Sequence, residues 1–368
     1  MRVIVTGGGT GGHIYPAIAI ADKFKEMDPE TQILYVGNDE GIEKDIVPKS
    51  GYELALVDAR WLDKSNVWQL VKTGARVAKG TLEARRVIKK FKPDVVIGTG
   101  GYVCFPVIAA AKMYGAKTFL HEQNAYPGLA NRTLEKHVDR VFLGFKDAQK
   151  YFKNPEKCIE TGNPVRKSFF TLDKEQARKK LGFKKDDFIV FSFGGSLGAE
   201  NINEVAFELM QVLNGHEGAS MVFGTGKWYY EKMLEKAAER GIEIKENIRM
   251  KDYIEDMENY LAACDLVISR AGALSVAETT VCGKAAVLIP SPNVTGNHQY
   301  FNAKAVADRG GAVLIEEKDL TAETLIREVM KLRNNPQILA EMGRASRACA
   351  PDKALDIIYN TIKEVSGK

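Results

Sequence analysis

A short apolar run, a glycine-rich turn and an amphipathic stretch recur along this chain, and the same turn occurs twice, about half the chain apart. Arg2–Thr6 leads into Gly7-Gly8-Gly9-Thr10-Gly11-Gly12, and Phe188–Phe193 leads into Gly194-Gly195-Ser196-Leu197-Gly198. Setting Gly8-Gly9-Thr10 on Gly194-Gly195-Ser196 gives an offset of 186 in 368 residues. After the first turn, apolar residues at Ile14, Ala17, Ile18, Ala21 and Phe24 keep helical spacing. Gln32–Val36, Asp94–Ile97 before Gly98-Thr99-Gly100-Gly101, Lys117–Leu120 and Arg140–Leu143 continue the alternation. In the second half Leu266–Ser269 and Ala285–Ile289 do the same, with helices over Ala199–Leu213, from Gly272 through Cys282, and from Asn297 to Asp308. Strands alternating with helices require parallel sheets, so the fold class is α/β, with two Rossmann-like domains of parallel sheet facing across a cleft.

The pattern breaks over 154–187, at Asn154-Pro155, Gly162-Asn163-Pro164 and a charged stretch from Lys174 to Asp187. The expected domains are therefore 1–163 and 164–345, with Thr321–Lys368 helical throughout and 346–368 packing back on the first domain. Composition agrees with two ordinary globular domains. At 45% hydrophobic and 27% charged residues the chain is neither disordered nor collagen-like. No run of 18 apolar residues exists to cross a membrane as a helix. The N-terminus enters a strand directly, without the apolar stretch of a signal peptide. Five scattered cysteines without a Cys-x-x-Cys pair fit a reduced chain with no disulfide framework and no zinc site.

In such folds ligands bind beyond the carboxyl ends of the strands, where the glycine turns stand. Gly7, Gly9 and Gly12 spell G-x-G-x-x-G between a strand and a helix. Glycine lets the backbone approach a ligand, and the amides of a helix start favour an anion such as a phosphate. A dinucleotide reading needs an acidic residue after the second strand, which Asp39 or Glu40 supplies, but it leaves the repeated loops at 194–198 and 98–101 unexplained. A P-loop reading is weaker still, because no Gly-Lys-Ser/Thr follows the turn and Gly226-Lys227 lacks the glycine five residues earlier. His13 directly follows the first loop. A histidine at a helix start, kept neutral by the dipole, is a candidate general base.

Several further strings occur in order: Gly8-Gly9-Thr10-Gly11-Gly12-His13, Gly100-Gly101-Tyr102, His121-Glu122-Gln123-Asn124, Gly162-Asn163-Pro164-Val165-Arg166, Gly194-Gly195-Ser196, Arg270-Ala271-Gly272-Ala273-Leu274-Ser275-Val276-Ala277-Glu278 and Gln299-Tyr300-Phe301-Asn302-Ala303. Together they resemble glycosyltransferase family 28, over about residues 2–310. More narrowly, they are similar to its peptidoglycan transferases, which move N-acetylglucosamine from UDP-GlcNAc to lipid I (undecaprenyl-diphosphate-MurNAc-pentapeptide) to give lipid II. The resemblance implies the GT-B fold, inversion at the anomeric carbon, no cofactor and no metal. In agreement, the chain has no Asp-x-Asp metal motif.

By the same resemblance, the UDP-GlcNAc ligands are Thr10, Gly11, Gly12, Asn124, Arg166, Ser196, Ile254, Arg270, Ala273, Leu274, Ser275, Val276, Ala277, Glu278 and Gln299. Ser196 and Arg166 would neutralise the leaving diphosphate, Ile254 would hold uracil through its backbone, and Glu278 would accept the ribose hydroxyls. Gly8, Gly9, Gly100, Gly101 and Tyr102 would contact the acceptor, with His13 the base. Leu197 and His298 depart from the family pattern, each replacing a frequent Gln. Two relatives of the same fold stay open as alternatives: a glycolipid synthase acting on diacylglycerol, and a UDP-GlcNAc 2-epimerase.

The net charge of +4 excludes a default nucleic-acid binder, but residues 60–92 alone carry ten Lys/Arg against Asp63 and Glu83, a local +8. Trp61 and Trp68 lie in this stretch beside Leu62, Val67, Leu70 and Val71. Trp61, Trp68, Arg76, Lys79, Arg85, Arg86, Lys89 and Lys90 thus form a candidate surface for an anionic membrane. That is where the acceptor lipid implied by the resemblance resides, at the cytoplasmic face, with a peripheral enzyme acting in cell-wall synthesis and so in cell shape and division.

Overall fold

A computed structural model describes residues 1–59, 67–195 and 198–368, without the side chains of 67–78 and 295. Its contacts divide the chain into two units, Met1–Arg166 with Pro351–Lys368, and Lys167–Ala350.

The first unit opens with β1 (Arg2–Thr6), α1 (Gly11–Met27), β2 (Gln32–Asn38), α2 (Glu43–Lys49), β3 (Glu53–Val57) and α3 (Val67–Phe91). There follow β4 (Val95–Gly98), α4 (Cys104–Met113), β5 (Lys117–Glu122), α5 (Leu129–Leu134), β6 (Arg140–Leu143) and β7 (Cys158–Glu160). All seven strands are parallel, in the order β3-β2-β1-β4-β5-β6-β7. The order reverses between β1 and β4, which makes their carboxyl ends the switch point. Strands such as Val95–Gly98 are buried along their whole length because helices cover both faces. The helical stripe read from the sequence, Ile14, Ala17, Ile18, Ala21 and Phe24, is at most 2% exposed.

The second unit contains α6 (Ser168–Thr171), α7 (Lys174–Leu181), β8 (Phe188–Phe193), α8 (Glu200–Leu213), β9 (Ala219–Gly224), α9 (Tyr230–Glu239), β10 (Ile248–Lys251) and α10 (Met257–Ala263). It continues through β11 (Leu266–Ser269), α11 (Ala273–Val281), β12 (Ala285–Leu288), α12 (His298–Ala307), β13 (Ala312–Leu314), α13 (Ala322–Arg333) and α14 (Pro336–Arg347). Its six parallel strands run β10-β9-β8-β11-β12-β13, with the switch between β8 and β11. The charged stretch at 174–187, expected to be irregular, contains a capped helix. Asp173 accepts the amides of Glu175 and Gln176 at 2.9 and 3.0 Å, and Gly182 at φ 69 ends α7. Its Arg178 is buried against Asp265 at 2.7 Å, which patterning of charge alone does not announce.

The chain returns to the first unit with α15 (Ala354–Ser366). Ile358 and Ile362 are at most 1% exposed among the residues of the α1 core, Tyr359 packs edge-on to Phe24 at 5.1 Å, and Lys23 meets Asp356 at 2.6 Å. Each buried isoleucine contributes about 2 kcal/mol. The terminal stretch expected to be helical throughout is interrupted at Asn334–Asn335, where Pro336 starts a new helix, and again at 348–353. The unit boundary falls after Arg166 rather than after 163. Asn163 is buried and donates to the Gln123 carbonyl at 3.1 Å, and Val165 is 2% exposed, so this segment is part of the first core.

Candidate functional site

At the first switch point, the loop after β1 and the loop after β4 interlock. The Gly8 amide donates to the Gly100 carbonyl at 3.3 Å. Gly101 sits at φ 84, and a Cβ there would lie 2.5 Å from the Gly8 oxygen. A Cβ on Gly100 would lie 2.5 Å from His13 Nδ1. These glycines are demanded by close packing of two loops, whatever else they touch.

Beneath the first loop lies Glu43, fully buried at the start of α2. Its carboxylate accepts the Asn38 amide at 2.8 Å and the Gly9 amide at 3.4 Å. With Gly8 bonded to Gly100, two of the loop's amides are thus spent inside the protein. Thr10, by contrast, makes no side-chain cap to α1, and among the described hydrogen bonds none takes the amides of Gly11 and Gly12 at the helix start.

His13 stands on the first turn of α1. Its Nδ1 lies 3.1 Å from the Thr99 carbonyl and 3.3 Å from Gln123 Oε1, and the Thr99 hydroxyl donates to its carbonyl at 2.7 Å. Gln123 Nε2 lies 2.7 Å from the Thr99 oxygen and 3.1 Å from His121 Nδ1. His121 Nε2 lies 3.1 Å from the Gly162 oxygen. Burial pushes His121 down to about 4, so it is neutral near pH 7. Glu122, 2% exposed, accepts from the Asn124 amide at 3.0 Å, Asn124 Nδ2 at 3.3 Å, the Gly128 amide at 3.0 Å and Asn131 Nδ2 at 2.8 Å. That fixes Asn124 at the carboxyl edge of β5. Tyr102 is 52% exposed just past Gly101. Arg166, expected with the second domain, belongs to the first unit, its guanidinium 5.0 Å above the Tyr15 ring on α1.

At the second switch point, β8 runs into Gly194 and Gly195, and β11 runs into Arg270-Ala271-Gly272 and then α11. Ser196 and Leu197 lie outside the described residues, as does Trp61. Gly272 caps α11 without a side-chain bond, so Ala273, Leu274 and Ser275 form an open helix start. Val276, Ala277 and Glu278 follow on the buried side of the helix, with Glu278 8% exposed. Arg270 forms an ion pair with Glu317 and donates to the Ile289 and Pro290 carbonyls at 3.3 and 3.2 Å, so it ties three loops together. Gln299 accepts the Ser291 amide at 2.9 Å. Asn302, fully buried, donates to the Ala271 carbonyl at 3.1 Å and so holds α12 to the segment before α11. Ile254 follows β10 at the same sheet edge and covers Gly224, where a Cβ would lie 3.0 Å from its side chain.

On α3, Ala84 and Ile88 face the core, while Arg86, Lys89 and Lys90 are exposed. Arg85 touches the exposed Met113 of α4 at 3.3 Å. Lys79 pairs with Asp58 and Glu83 at 3.4 and 3.6 Å. Trp68 and Arg76 are described by their backbone alone, which lies in α3. No described helix is long and apolar enough to cross a membrane. Among the described residues, no three His, Cys, Asp or Glu side chains gather as metal ligands.

Sequence reasoning gives no role to Glu43, His121, Glu122, Gln123 or Glu317. The His-Glu-Gln-Asn string holds three of them in plain view. Glu43 and Glu317 carry no pattern, because their importance comes from burial against loops distant in sequence.

Comparison with known proteins bears on both units. Residues 3–143 match the glycosyltransferase family 28 N-terminal domain, and residues 189–358 match its C-terminal domain. The chain is 42% identical over 363 residues to the UDP-N-acetylglucosamine–N-acetylmuramyl-(pentapeptide) pyrophosphoryl-undecaprenol N-acetylglucosamine transferase of Alkaliphilus oremlandii, covering 99% of this chain and 98% of that one. The transferase of the same name from Acetivibrio thermocellus is also 42% identical, over 99% and 98% of the two chains. The crystal structure of Acinetobacter baumannii MurG superposes with a TM-score of 0.74 at 27% identity, over 99% of each chain.

Proposed function

The chain belongs to glycosyltransferase family 28, and from that premise we propose that it transfers N-acetylglucosamine from UDP-GlcNAc to the 4-hydroxyl of the muramyl sugar of lipid I, giving lipid II with inversion and without a metal ion. The observation that carries this reading is the pairing of two different switch points in one chain. One presents a histidine and an uncapped helix start; the other presents an uncapped helix start with a buried carboxylate, Glu278, on the same helix.

The first unit supplies the base. The 4-oxygen of the acceptor forms a bond to the anomeric carbon as the bond from that carbon to UDP breaks, and His13 Nε2 takes the hydroxyl proton. The amides of Gly11 and Gly12, Asn124 and the Arg166 guanidinium gather oxygen-rich groups of the sugars and diphosphate. Tyr102 and the exposed edge of the β4 loop meet the acceptor. The second unit holds the nucleotide: Ile254 by its backbone at uracil, Glu278 at the ribose hydroxyls, and Ala273–Val276 and Ser196 along the diphosphate. The negative charge of the departing UDP is stabilised by helix-start dipoles and a permanent cation. Gln299 and Arg270 shape the donor pocket through the loops they hold.

The acceptor is a membrane lipid, and the exposed Arg86, Lys89 and Lys90 on the same helix as Arg85, which touches the exposed Met113, support peripheral attachment to an anionic cytoplasmic surface. Each such cation contributes about 1 kcal/mol near the headgroups. The deciding experiment supplies UDP-GlcNAc with lipid I or diacylglycerol in anionic vesicles, with and without EDTA. Lipid II formed from lipid I, unaffected by EDTA, is the expected result. Transfer to diacylglycerol, epimerisation of the donor alone, or loss of turnover with EDTA restored by magnesium would overturn it.

A further inference from the structure

The hydrogen bonds around His13 leave one arrangement of protons. Gly162 and Thr99 contribute backbone carbonyls, which only accept. His121 Nε2 therefore donates to Gly162 O at 3.1 Å, which leaves its Nδ1 unprotonated in the neutral ring. Gln123 Nε2 faces three acceptors, Thr99 O at 2.7 Å, that nitrogen at 3.1 Å and His121 O at 3.3 Å, and its two protons serve the nearer two. Turning the Gln123 amide over would set its oxygen against the Thr99 carbonyl and against a lone pair of His121. Its orientation is fixed from both sides, so Oε1 points at His13 Nδ1, 3.3 Å away. The other neighbour of that nitrogen is again Thr99 O, at 3.1 Å. Both partners of His13 Nδ1 are acceptors, so Nδ1 carries the proton.

We propose that Gln123 is a positioning residue: with His121 and the Gly162 carbonyl behind it, it acts beside the Thr99 carbonyl to hold His13 in the Nδ1–H tautomer, leaving the Nε2 lone pair as the proton acceptor. The proposal deepens the reading of His13 as the base and rests on it for its effect on turnover. The wire is buried: Gln123 is 2% exposed and His121 fully buried. It works only while His121 is neutral, because a second proton on that ring would turn its Nδ1 from an acceptor into a donor facing Gln123. Burial keeps the ring neutral. The neighbouring carboxylate, Glu122, is turned away to Asn124, Gly128 and Asn131. Glu43 bonds the first loop rather than the ring. No carboxylate among the described hydrogen bonds competes with Gln123 for Nδ1.

The test uses the full chain labelled with ¹⁵N-histidine, with long-range proton–nitrogen correlation to read each ring. The chain has five histidines, and His13→Ala identifies the His13 signal. At neutral pH the His13 ring is expected to show a protonated Nδ1 and an unprotonated Nε2. In Gln123→Met, with the Thr99 carbonyl the one remaining partner of Nδ1 among the described hydrogen bonds, the Nδ1–H preference should weaken, and kcat should fall about 10- to 100-fold while the KM for UDP-GlcNAc stays within about two-fold. A wild-type ring protonated on Nε2 would overturn the proposal, as would a Gln123→Met protein with unchanged tautomer and kcat. Where Gln123→Met fails to fold, a wild-type ring protonated on Nε2 still overturns the proposal, and Gln123→Glu, which keeps the acceptor oxygen, should keep the Nδ1–H ring. Full turnover in His13→Ala would instead remove the base reading, and the tautomer spectrum would still judge the role of Gln123.

Discussion

The two switch points are built from the same strand–turn–helix unit, yet they spend their backbone differently. At the first, Gly8 bonds Gly100, Gly9 bonds Glu43, and Gly101 lies under Gly8 with no room for a side chain. The loop is braced from below and from the side, and its histidine, His13, is wired to Thr99 and to the buried Gln123. At the second, among the described residues, no hydrogen bond takes the amides of Gly194 and Gly195, although the turn is packed as closely elsewhere: a Cβ on Gly194 would lie 2.5 Å from the Ala199 amide nitrogen, while Gly195 at φ 100, like Gly9 of the first loop, has nothing within 4 Å of where a Cβ would lie. Open backbone suits recognition of a ligand by amides, whereas a braced loop suits holding a side chain in one orientation and one protonation state. The offset of 186 residues marks a shared architecture and divergent work.

The sharpest way to break that contrast is to remove the side chain the first loop is braced around. His13→Ala should lower kcat by about 10²- to 10⁴-fold, the usual worth of a general base, while UDP binding measured by calorimetry stays near wild type. Weakened UDP binding with an equal loss in kcat/KM would place His13 in donor recognition and blur the two regions.

Two glycine substitutions separate the contact between the interlocked loops from the cost of the backbone conformation. Gly101→Ala combines a left-handed φ of 84 with a Cβ 2.5 Å from the Gly8 oxygen, and should cost about 4 kcal/mol of stability. Gly195→Ala, with nothing among the described residues within 4 Å of the new Cβ, meets the backbone penalty at φ 100, about 1 kcal/mol. Equal losses in denaturant titrations would show that the contact between Gly101 and Gly8 adds nothing to the first unit's stability.

Acid should act on the first unit through its buried histidine. His121 titrates near 4 in the fold against 6.5 in the open chain. Between those values the unfolded state binds the extra proton, so stability falls as pH drops from about 6.5 to 4, by about 3 kcal/mol in all. Above 6.5 both states are neutral and this contribution is flat. His121→Asn should flatten that limb in pH-dependent unfolding; a variant with the wild-type slope would assign the proton uptake elsewhere.

Much of this is legible in the chain itself. The central strands stand on the apolar runs of the sequence, because strands buried on both faces read as unbroken apolar stretches. The edge strands Glu53–Val57, Cys158–Glu160, Ile248–Lys251 and Ala312–Leu314 escape that pattern because exposed or half-exposed residues break the run, and the interior strand Ala219–Gly224, buried throughout, escapes it as well. Arg166 falls in the other unit than expected because a Gly-Asn-Pro sequence signals a turn and not which core the turn packs against. The roles of Glu43 and Gln123 are hidden for a related reason: each bonds a loop 34 to 110 residues away, and no local pattern encodes such a contact.

A kinetic effect smaller than that of His13→Ala belongs to the second switch point. Glu278 is buried on α11, close to an open helix start, and a carboxylate accepting both ribose hydroxyls contributes about 1.5–3 kcal/mol through charge-assisted hydrogen bonds. Glu278→Ala should therefore raise the KM for UDP-GlcNAc about ten- to a hundred-fold and leave the KM for lipid I unchanged, because the nucleoside is bound alike before and during transfer. Loss of kcat without a change in donor KM would mean that Glu278 acts on the reacting sugar. The division of labour between a wired loop that moves a proton and an open one that holds a nucleotide would then fail at its second half.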